Sequence, residues 1–357
     1  MESLIKSGTA LLTEAVPGGP RVPFLRPAGI LGIGSYAPER VLTNHDLEAI
    51  VETNDEWIVS RTGISERRIA APGESTADLA FHAATRALAD AGLTGADLDL
   101  IVVATVTGDA PFPATASILQ ERLGAKSAAA FNLSAACAGF IYALATGAQF
   151  IQTGTFRHVL VVGAESLSRI TNWRDRATCV LFGDGAGAAV LGPVDDGQGF
   201  LSFDLGSDGS GADQLAVDPG GWGHPLTTGS DEVLRHSIRM NGGEVFKFAV
   251  RVLDDSTRRS LALAGLTIQD IDLLIPHQAN IRIIDAAAKR LGLSESAVFS
   301  NVHRYGNTSA ASIPLALVEA RDEGLLHEGD TVVLVGFGAG LSWASCVLNW
   351  TEARKAV

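Results

Sequence analysis

The sequence has few cysteines and no closely spaced pair of them. It contains three in 357 residues: Cys137, Cys179 and Cys346. An odd number without a C-x-x-C pair argues against a disulfide framework and against a structural zinc site. So few thiols are typical of a reducing compartment, and we therefore expect a cytoplasmic protein.

Long apolar runs and positive charge are also scarce. No hydrophobic run reaches the ~20 residues of a membrane span, and the apolar stretch near the N-terminus is too interrupted to suggest a signal peptide. The formal net charge is −13 and the pI about 5.0. This charge argues against binding to nucleic acid or to an anionic membrane. An acidic partner would need a local basic patch.

Aromatic residues make up only 6% of the chain, whereas hydrophobic residues make up 46%. This composition is typical of a globular protein with closely packed helices and buried strands. Helical and strand-like patterns alternate, which predicts an α/β fold with sheets and helices in layers. Strands are predicted at 98–106, 128–134, 158–164, 188–192, 271–276 and 331–337, and helices at 43–52, 75–91, 138–152, 243–264, 280–291 and 309–320. Residues 201–230 are predicted to be rich in loops.

An internal repeat gives the strongest architectural signal. ADAGLTGADLDLIVV (89–103) is similar to ALAGLTIQDIDLLIP (262–276), and HVLVVGA (158–164) is similar to TVVLVGF (331–337). Both pairs are separated by the same offset along the chain, since Gly92 aligns with Gly265 and Gly163 with Gly336. The repeat predicts two similar halves, 28–200 and 201–357, after a flexible leader at 1–27.

Three residues are candidates for chemistry, and each follows a predicted strand or precedes a helix. Cys137 opens a helix in SAACAGF, where the helix dipole favours a thiolate, the nucleophilic form of cysteine. His277 directly follows a buried strand, at the end of the sheet where α/β proteins place ligands. Asn307 precedes a helix of small residues and can donate a hydrogen bond. Taken singly, an inert buried cysteine, a loop histidine and a helix N-cap remain alternatives.

Glycine-rich GFGAGLSW (336–343) follows the last predicted strand. Backbone N–H groups in such a loop can point into a cleft and stabilise an oxyanion.

These segments together resemble the ketoacyl synthase III enzymes of bacterial fatty acid synthesis. The resemblance rests on SAACAGF, IPHQANIRII, YGNTSAASIPLAL, GFGAGLSW, NDEWIVSRTGISERRI and FGDGAGAAVL, and it extends from about Gly29 to Trp350. It implies a thiolase-like fold of two similar halves in five αβαβα layers, usually a homodimer. It also implies condensation of a short acyl-CoA primer with malonyl-acyl carrier protein (ACP), without a cofactor or metal.

The resemblance assigns roles to individual positions. Cys137 accepts the acyl group, and His277 and Asn307 stabilise the enolate that malonyl decarboxylation forms. The backbone N–H groups of Cys137 and Ala339 hold the tetrahedral oxyanion, although many relatives have Gly in place of Ala339. Phe337 orients the malonyl carboxylate.

Substrate and partner sites follow from the same resemblance. Thr53, Trp57 and Arg176 match positions that bind the CoA nucleotide, with adenine between Trp57 and Arg176. Phe112 matches the floor of an acyl pocket across the dimer, which suggests a short primer such as acetyl. A basic cluster is assigned to carrier protein docking, with a solvated charged face as its alternative: Lys247, Arg251, Arg282, Lys289 and Arg290.

Two alternative functions remain open on sequence alone. A starter-unit synthase of a specialised polyketide pathway would use the same chemistry with another acyl group. A thioester hydrolase with Cys, His and Asn would transfer the acyl group to water and need no carrier protein.

Overall fold

The computed structural model describes residues 26–217 and 237–351. The predicted leader at 1–27 lies outside the described residues except for its last two, and it stays a prediction. The first strand begins at Ala28, where the sequence predicts that the fold starts.

The first half of the chain contains seven strands and six helices within the described residues. In chain order they are β1 (Ala28–Tyr36), β2 (Val41–Thr43), α1 (Asn44–Glu48), α2 (Asp55–Thr62), β3 (Glu66–Arg68), α3 (Thr76–Asp90), β4 (Leu100–Ala104), α4 (Thr115–Arg122), β5 (Ala129–Leu133), α5 (Gly139–Gln152), β6 (Val159–Ser166), α6 (Arg176–Cys179) and β7 (Asp184–Pro193).

The described part of the second half contains six strands and four helices. They are β8 (Gly199–Ser207), β9 (Leu215–Val217), β10 (Ile238–Met240), α7 (Gly242–Ala264), β11 (Leu273–Pro276), α8 (Ile281–Leu291), α9 (Val302–Tyr305), α10 (Ser312–Asp322), β12 (Thr331–Gly338) and β13 (Ser342–Asn349). The predicted boundary at 200/201 falls within β8.

The two halves form sheets of equivalent topology. The first sheet has the order β1-β7-β6-β4-β5 and the second the order β11-β12-β13-β8. In both, two parallel strands adjoin two antiparallel ones, namely β4-β6-β7-β1 and β11-β12-β13-β8. Counterparts keep the offset of the sequence repeat, because β4 begins at Leu100 and β11 begins at Leu273, the position that the repeat aligns with it.

Three apolar clusters divide the molecule into five layers. Helices α3 and α4 cover the outer face of the first sheet. Helices α5 and α10 lie between the two sheets and contribute to the central core. Helices α7 and α8 cover the outer face of the second sheet. The predicted αβαβα arrangement of a thiolase-like fold is therefore confirmed.

Local sequence signals account for most of the elements, with two corrections. Thr43 and Ser75 form the capping boxes that their spacing predicts. Helix α1, however, ends at Glu48, four residues before the predicted end. Residues 201–207 continue strand β8, where the sequence predicts a loop, because β8 pairs along its whole length with β13. The rest of that predicted loop is partly outside the described residues.

Candidate active site

Cys137 lies in the 3-10 helix Ala136–Ala138, which leads directly into α5. The residue before it, Ala136, has a φ angle of 46°, a conformation that costs a non-glycine residue energy and recurs at functional sites. The side chain of Cys137 is 8% exposed. It is nevertheless part of the wall of two cavities.

The protonation state of Cys137 differs from the sequence prediction. Burial raises the pKa of the thiol to about 12, the neighbouring Ser309 side chain acts to lower it, and the nearby charge of Glu165 raises it again. This direction opposes the thiolate that the helix position predicts, because loss of solvation disfavours the charged form. Cys137 rests as a neutral thiol and must lose its proton when it attacks.

His277 directly follows β11, as predicted, and its ring is held in one orientation. Ring Nδ1 lies 2.6 Å from the hydroxyl of Ser312, which also accepts a 3.4 Å hydrogen bond from the N–H of Gln278. With the Ser312 hydroxyl as the donor to Nδ1, the proton of the neutral imidazole lies on Nε2. Burial lowers the pKa of His277 to about 3, so the ring is a neutral donor. Phe337 packs edge-on against it, with ring centroids 5.4 Å apart.

Asn307 is fixed by the first half of the chain. Its N–H donates to the carbonyl of Leu181 at 2.8 Å, and its carbonyl accepts from Gly183 N–H at 3.0 Å. The side-chain oxygen Oδ1 accepts from Ser309 N–H at 2.8 Å. Asn307 is not the N-cap of the helix that follows, because Thr308 occupies that position, but one end of its amide does hold a backbone N–H of that helix. The other end, the Nδ2 group, remains available as a donor.

One cavity brings these residues together. It has a volume of about 330 Å³ and is bounded by Cys137, His277 and Asn307, together with Phe337 and Trp57. We call it the Trp57 cavity. The predicted constellation of thiol, imidazole and carboxamide thus shares a single cavity.

A second cavity lies against the same cysteine. It measures about 260 Å³, and most of its wall is apolar, including Leu167, Ile170 and Ile238. We call it the Leu167 cavity. Ser309 and Ala339 also line it, so the predicted oxyanion donor at Ala339 is close to the nucleophile.

The glycine-rich segment approaches Cys137 at backbone level. A Cβ atom on Gly338 would lie 2.6 Å from the backbone nitrogen of Cys137, so only glycine fits there. At Gly336 a Cβ atom would lie 3.6 Å from Cβ of His277 and 3.5 Å from the carbonyl oxygen of Cys137. The end of β12 therefore holds the nucleophile and the imidazole side by side.

The residues predicted to bind the CoA nucleotide differ from the prediction in one respect, which is the position of Arg176. The guanidinium of Arg176 is 4.7 Å from the centre of the Trp57 ring and donates to the carbonyl of Glu52. A base stacked between the two would need about 7 Å, since each stacking contact takes ~3.5 Å. Arg176 must therefore move for adenine to bind in the predicted place. The hydroxyl of Thr53 is buried and makes no hydrogen bond within the described residues.

Phe112 stands apart from both cavities of the single chain. Its side chain is 82% exposed, and it lines neither the Trp57 cavity nor the Leu167 cavity. Its assignment to an acyl pocket depends on a second chain and stays a prediction.

The predicted basic cluster lies on the outer layer formed by α7 and α8. The guanidinium of Arg282 is 5.9 Å from the ring of Phe246, which lines the Trp57 cavity, so Arg282 lies beside the wall of that cavity. Two cluster members also have partners within the chain, because Lys247 pairs with Glu244 and Arg290 with Asp254. All five predicted residues are exposed: Lys247, Arg251, Arg282, Lys289 and Arg290.

Sequence reasoning missed three residues of the site. Arg61 lies 5.0 Å from the Trp57 ring and lines its cavity; its position four residues after Trp57 in α2 was a usable signal. Ser309 and Glu165 lie next to Cys137. Glu165 interrupts an apolar strand, which is an unusual place for a carboxylate.

Two features are absent from residues 26–217 and 237–351. No helix in these segments combines the length and hydrophobicity that a membrane crossing requires. No cluster of three or more metal-binding side chains occurs in them either.

Known proteins resemble this chain over nearly its whole length. Residues 131–209 match the family model of 3-oxoacyl-[acyl-carrier-protein (ACP)] synthase III, and residues 261–350 match its C-terminal model. A β-ketoacyl-[acyl-carrier-protein] synthase III of Desulfitobacterium hafniense is 57% identical over 91% of this chain and 98% of its own length.

Solved structures give the same result. The β-ketoacyl-[acyl carrier protein] synthase III of Thermus thermophilus is 54% identical, with a TM-score of 0.85 over 91% of this chain and all of that one. The priming β-ketosynthase of the R1128 polyketide pathway is 39% identical, with a TM-score of 0.85 over 95% of this chain and all of that one. This chain belongs to the 3-oxoacyl-[acyl-carrier-protein] synthase III family.

Proposed function

We propose that this acyltransferase initiates fatty acid synthesis by joining a short acyl-CoA primer to malonyl-ACP, with loss of carbon dioxide, to give 3-oxoacyl-ACP. The observation that carries the proposal is the Trp57 cavity, whose wall contains Cys137, His277 and Asn307. A nucleophile and two neutral donors are the groups that this two-stage reaction needs.

In the first stage Cys137 attacks the acyl-CoA thioester and keeps the acyl group. Negative charge develops on the former carbonyl oxygen, and the backbone N–H groups of Cys137 and Ala339 are assigned to it. The close approach of Gly338 to the Cys137 nitrogen supports this assignment, because it brings the two backbones within reach of one atom.

In the second stage the malonyl thioester loses carbon dioxide and becomes an enolate. The reaction needs stabilised negative charge on the thioester oxygen and no added base. Nε2–H of His277 and Nδ2–H of Asn307 can both donate to that oxygen, and their burial strengthens the interaction. Phe337 packs on the imidazole and is assigned to orienting the malonyl carboxylate. The enolate then attacks the acyl group on Cys137.

Acyl-CoA enters as a substrate, and the reaction uses no cofactor. Its nucleotide is assigned to Trp57, Arg176 and Thr53, with Arg61 as an additional contact. Two guanidinium groups within 5.0 Å of one ring supply positive charge for the CoA phosphates.

The primer is assigned to the Leu167 cavity. A volume of about 260 Å³ with largely apolar walls suits a short acyl chain. Phe112 would close this pocket from the partner chain of a homodimer, and its 82% exposure is consistent with an interface position. We place the enzyme in the cytoplasm because its substrates and its free thiols belong there.

The carrier protein is assigned to the basic cluster on α7 and α8. We expect Arg282→Glu to raise the KM for malonyl-ACP about tenfold, corresponding to ~1.4 kcal/mol, because Arg282 lies beside the cavity wall and its charge is reversed. The effect should shrink at high salt. Steady-state kinetics with malonyl-ACP measure this change in KM.

Arg157→Glu is the matched control for this charge reversal. Arg157 is exposed and precedes β6, at the end of the sheet away from the cavity. The Arg157→Glu substitution changes the net charge by the same amount as Arg282→Glu, and it should leave the KM for malonyl-ACP unchanged. Equal effects of the two variants would contradict local docking and favour the solvated-face alternative.

The alternative functions differ in their products, which gives the test of the proposal. Purified enzyme is incubated with malonyl-ACP and acyl-CoAs of increasing length and branching. We expect 3-oxoacyl-ACP, formed fastest from short primers. Free acid as the main product would indicate a hydrolase, and preference for a long or unusual primer would indicate a polyketide starter synthase. Identity of 54–57% to β-ketoacyl-ACP synthases, against 39% to a polyketide enzyme, favours the first outcome.

A further inference from the structure

Ser309 shares an unusual backbone conformation with the residue before the nucleophile. Its φ angle is 48°, and that of Ala136, the equivalent position in the first half of the repeat, is 46°. Each residue opens a 3-10 helix at the same place in its half. Such a conformation persists in a non-glycine residue only where the surroundings enforce it. At Ser309 the result is a hydroxyl group placed against Cys137.

The Ser309 hydroxyl also contacts a buried carboxylate. It donates to Oε1 of Glu165 at 3.2 Å, and Ser309 lines the Leu167 cavity together with Cys137. Asn307 holds the backbone N–H of Ser309 at 2.8 Å, which fixes the backbone at this position. Ser309 thus joins Glu165 to the cavity wall that contains Cys137.

Glu165 is fully buried at the end of β6. Among the described residues its hydrogen bonds come from hydroxyls and backbone N–H groups, and no cation contributes one; the donors are Thr105, Val106, Thr107 and Ser309. Burial raises the pKa of Glu165 to about 7, and the hydrogen bonds only partly oppose this. The carboxylate can therefore take up and release a proton near neutral pH.

Cys137 needs such a proton acceptor. Its thiol is neutral at rest, and His277 is a poor base because burial lowers its pKa to about 3 and Ser312 occupies Nδ1. The helix dipole offsets only part of the cost of a buried thiolate.

We infer that Ser309 and Glu165 form a relay that removes the proton of the Cys137 thiol during acylation and returns it after condensation. The inference rests on the proposed function. Ser309 shares the cavity wall with the reacting sulfur, whereas Glu165 acts through Ser309 and is a positioning residue for that hydroxyl.

The proton that the relay removes from Cys137 is returned to it within one catalytic cycle. The S–H bond of Cys137 breaks as its proton passes to the Ser309 oxygen, and the original Ser309 proton passes to Oε1 of Glu165. The sulfur forms its bond to the acyl carbon, and CoA leaves as a thiolate that takes a proton from solvent. When the enolate later expels the Cys137 thiolate, the proton on Glu165 returns through Ser309.

Glu165→Gln and Ser309→Gly test the relay. Glutamine has the same shape as glutamate but cannot accept the proton, and glycine removes the hydroxyl while tolerating the positive φ angle. We expect both to slow the burst of CoA release from acetyl-CoA about 100-fold, within the range of general base catalysis. Malonyl-ACP decarboxylation, which uses His277 and Asn307, should fall far less.

The pH profile separates this role from a structural one. In the wild type the burst rate should rise with pH as Glu165 loses its proton near pH 7. Cys137 is the ionisable group on which the charge of Glu165 acts. The Gln variant should lose the inflection near pH 7, and Glu165→Asp should restore part of it. Alkylation of Cys137 by iodoacetamide, which needs no substrate, should change in the same way.

Asp184→Asn is the matched control. Asp184 is equally buried and accepts hydrogen bonds from Ser168 and Ala70, but it does not contact Cys137. It should keep the wild-type burst rate and pH profile. Unchanged bursts in Glu165→Gln and Ser309→Gly would overturn the relay, as would equal losses of acylation and decarboxylation. A wild type that decarboxylates and alkylates normally but forms no 3-oxoacyl-ACP would instead contradict the proposed function.

Discussion

Replacement of Cys137 by alanine removes acyl transfer from acyl-CoA but leaves malonyl-ACP decarboxylation. Among the described residues, only Cys137 offers a sulfur to both cavities, whereas decarboxylation depends on donors from His277 and Asn307. We expect covalent labelling by radioactive acetyl-CoA to fall at least ~10⁴-fold, as for other lost nucleophiles. Peptide mapping of the labelled protein and release of carbon dioxide from malonyl-ACP measure the two stages separately.

The other cysteines serve as controls for this substitution. Cys179 and Cys346 are both fully buried in apolar clusters, and burial raises the pKa of both thiols. Cys179→Ala should retain full labelling. Label that maps to Cys179, or labelling that survives in Cys137→Ala, would contradict the assignment of the nucleophile.

Local patterns predicted the two similar halves and the candidates Cys137, His277 and Asn307, whereas the five layers and the roles of these residues were implied by the family resemblance. The offset of the sequence repeat recurs in the strands and in the 3-10 helices that begin at Ala136 and Ser309. Capping boxes at Thr43 and Ser75 depend only on residues three positions apart. Cys137 and Asn307 each lie shortly before a helix of small residues that the sequence predicts, α5 and α10. Such signals do not require knowledge of the tertiary structure.

The protonation state of the site could not be predicted in this way. The sequence shows that Cys137 precedes a helix, but burial depends on residues from both halves, and burial determines the pKa of the thiol. The pairing of Ser309 with Glu165 joins positions 144 residues apart. The place of Arg176 over Trp57 likewise depends on side-chain orientation. These contacts are tertiary, and no local pattern encodes them.

Loss of either donor, in His277→Ala or Asn307→Ala, abolishes most of the decarboxylation while Cys137 still accepts an acyl group. Removal of one oxyanion donor typically costs ~10²–10³-fold in rate, and we expect losses of this size for each variant. The double variant should lose less than the product, because both donors act on one oxygen. Carbon dioxide release from malonyl-ACP, with acetyl labelling of Cys137 measured in parallel, provides the test.

Two further substitutions at Asn307, one to aspartate and one to histidine, sharpen the comparison. Asn307→Asp introduces an acceptor with negative charge where the enolate oxygen forms, and it should lose more activity than Asn307→Ala. Asn307→His supplies a donor again and should recover part of the rate. Near-wild-type activity of Asn307→Asp, which keeps the Oδ1 acceptor, beside a loss in Asn307→Ala would mean that Asn307 acts only through its Oδ1 bond to Ser309, and not as a donor to substrate.

The charge of His277 decides how decarboxylation responds to pH. Since burial lowers the pKa of His277 to about 3, the ring becomes charged only well below the working range, and its Nε2–H donor is unchanged between about pH 5.5 and 8. Decarboxylation by Cys137→Ala, which isolates this stage from the thiol, should therefore be nearly independent of pH over that range. A sigmoidal profile with a midpoint near 6.5, the ordinary pKa of histidine, would show that the imidazole is solvated and ionises during turnover. A general acid would then replace the neutral donor in the second stage.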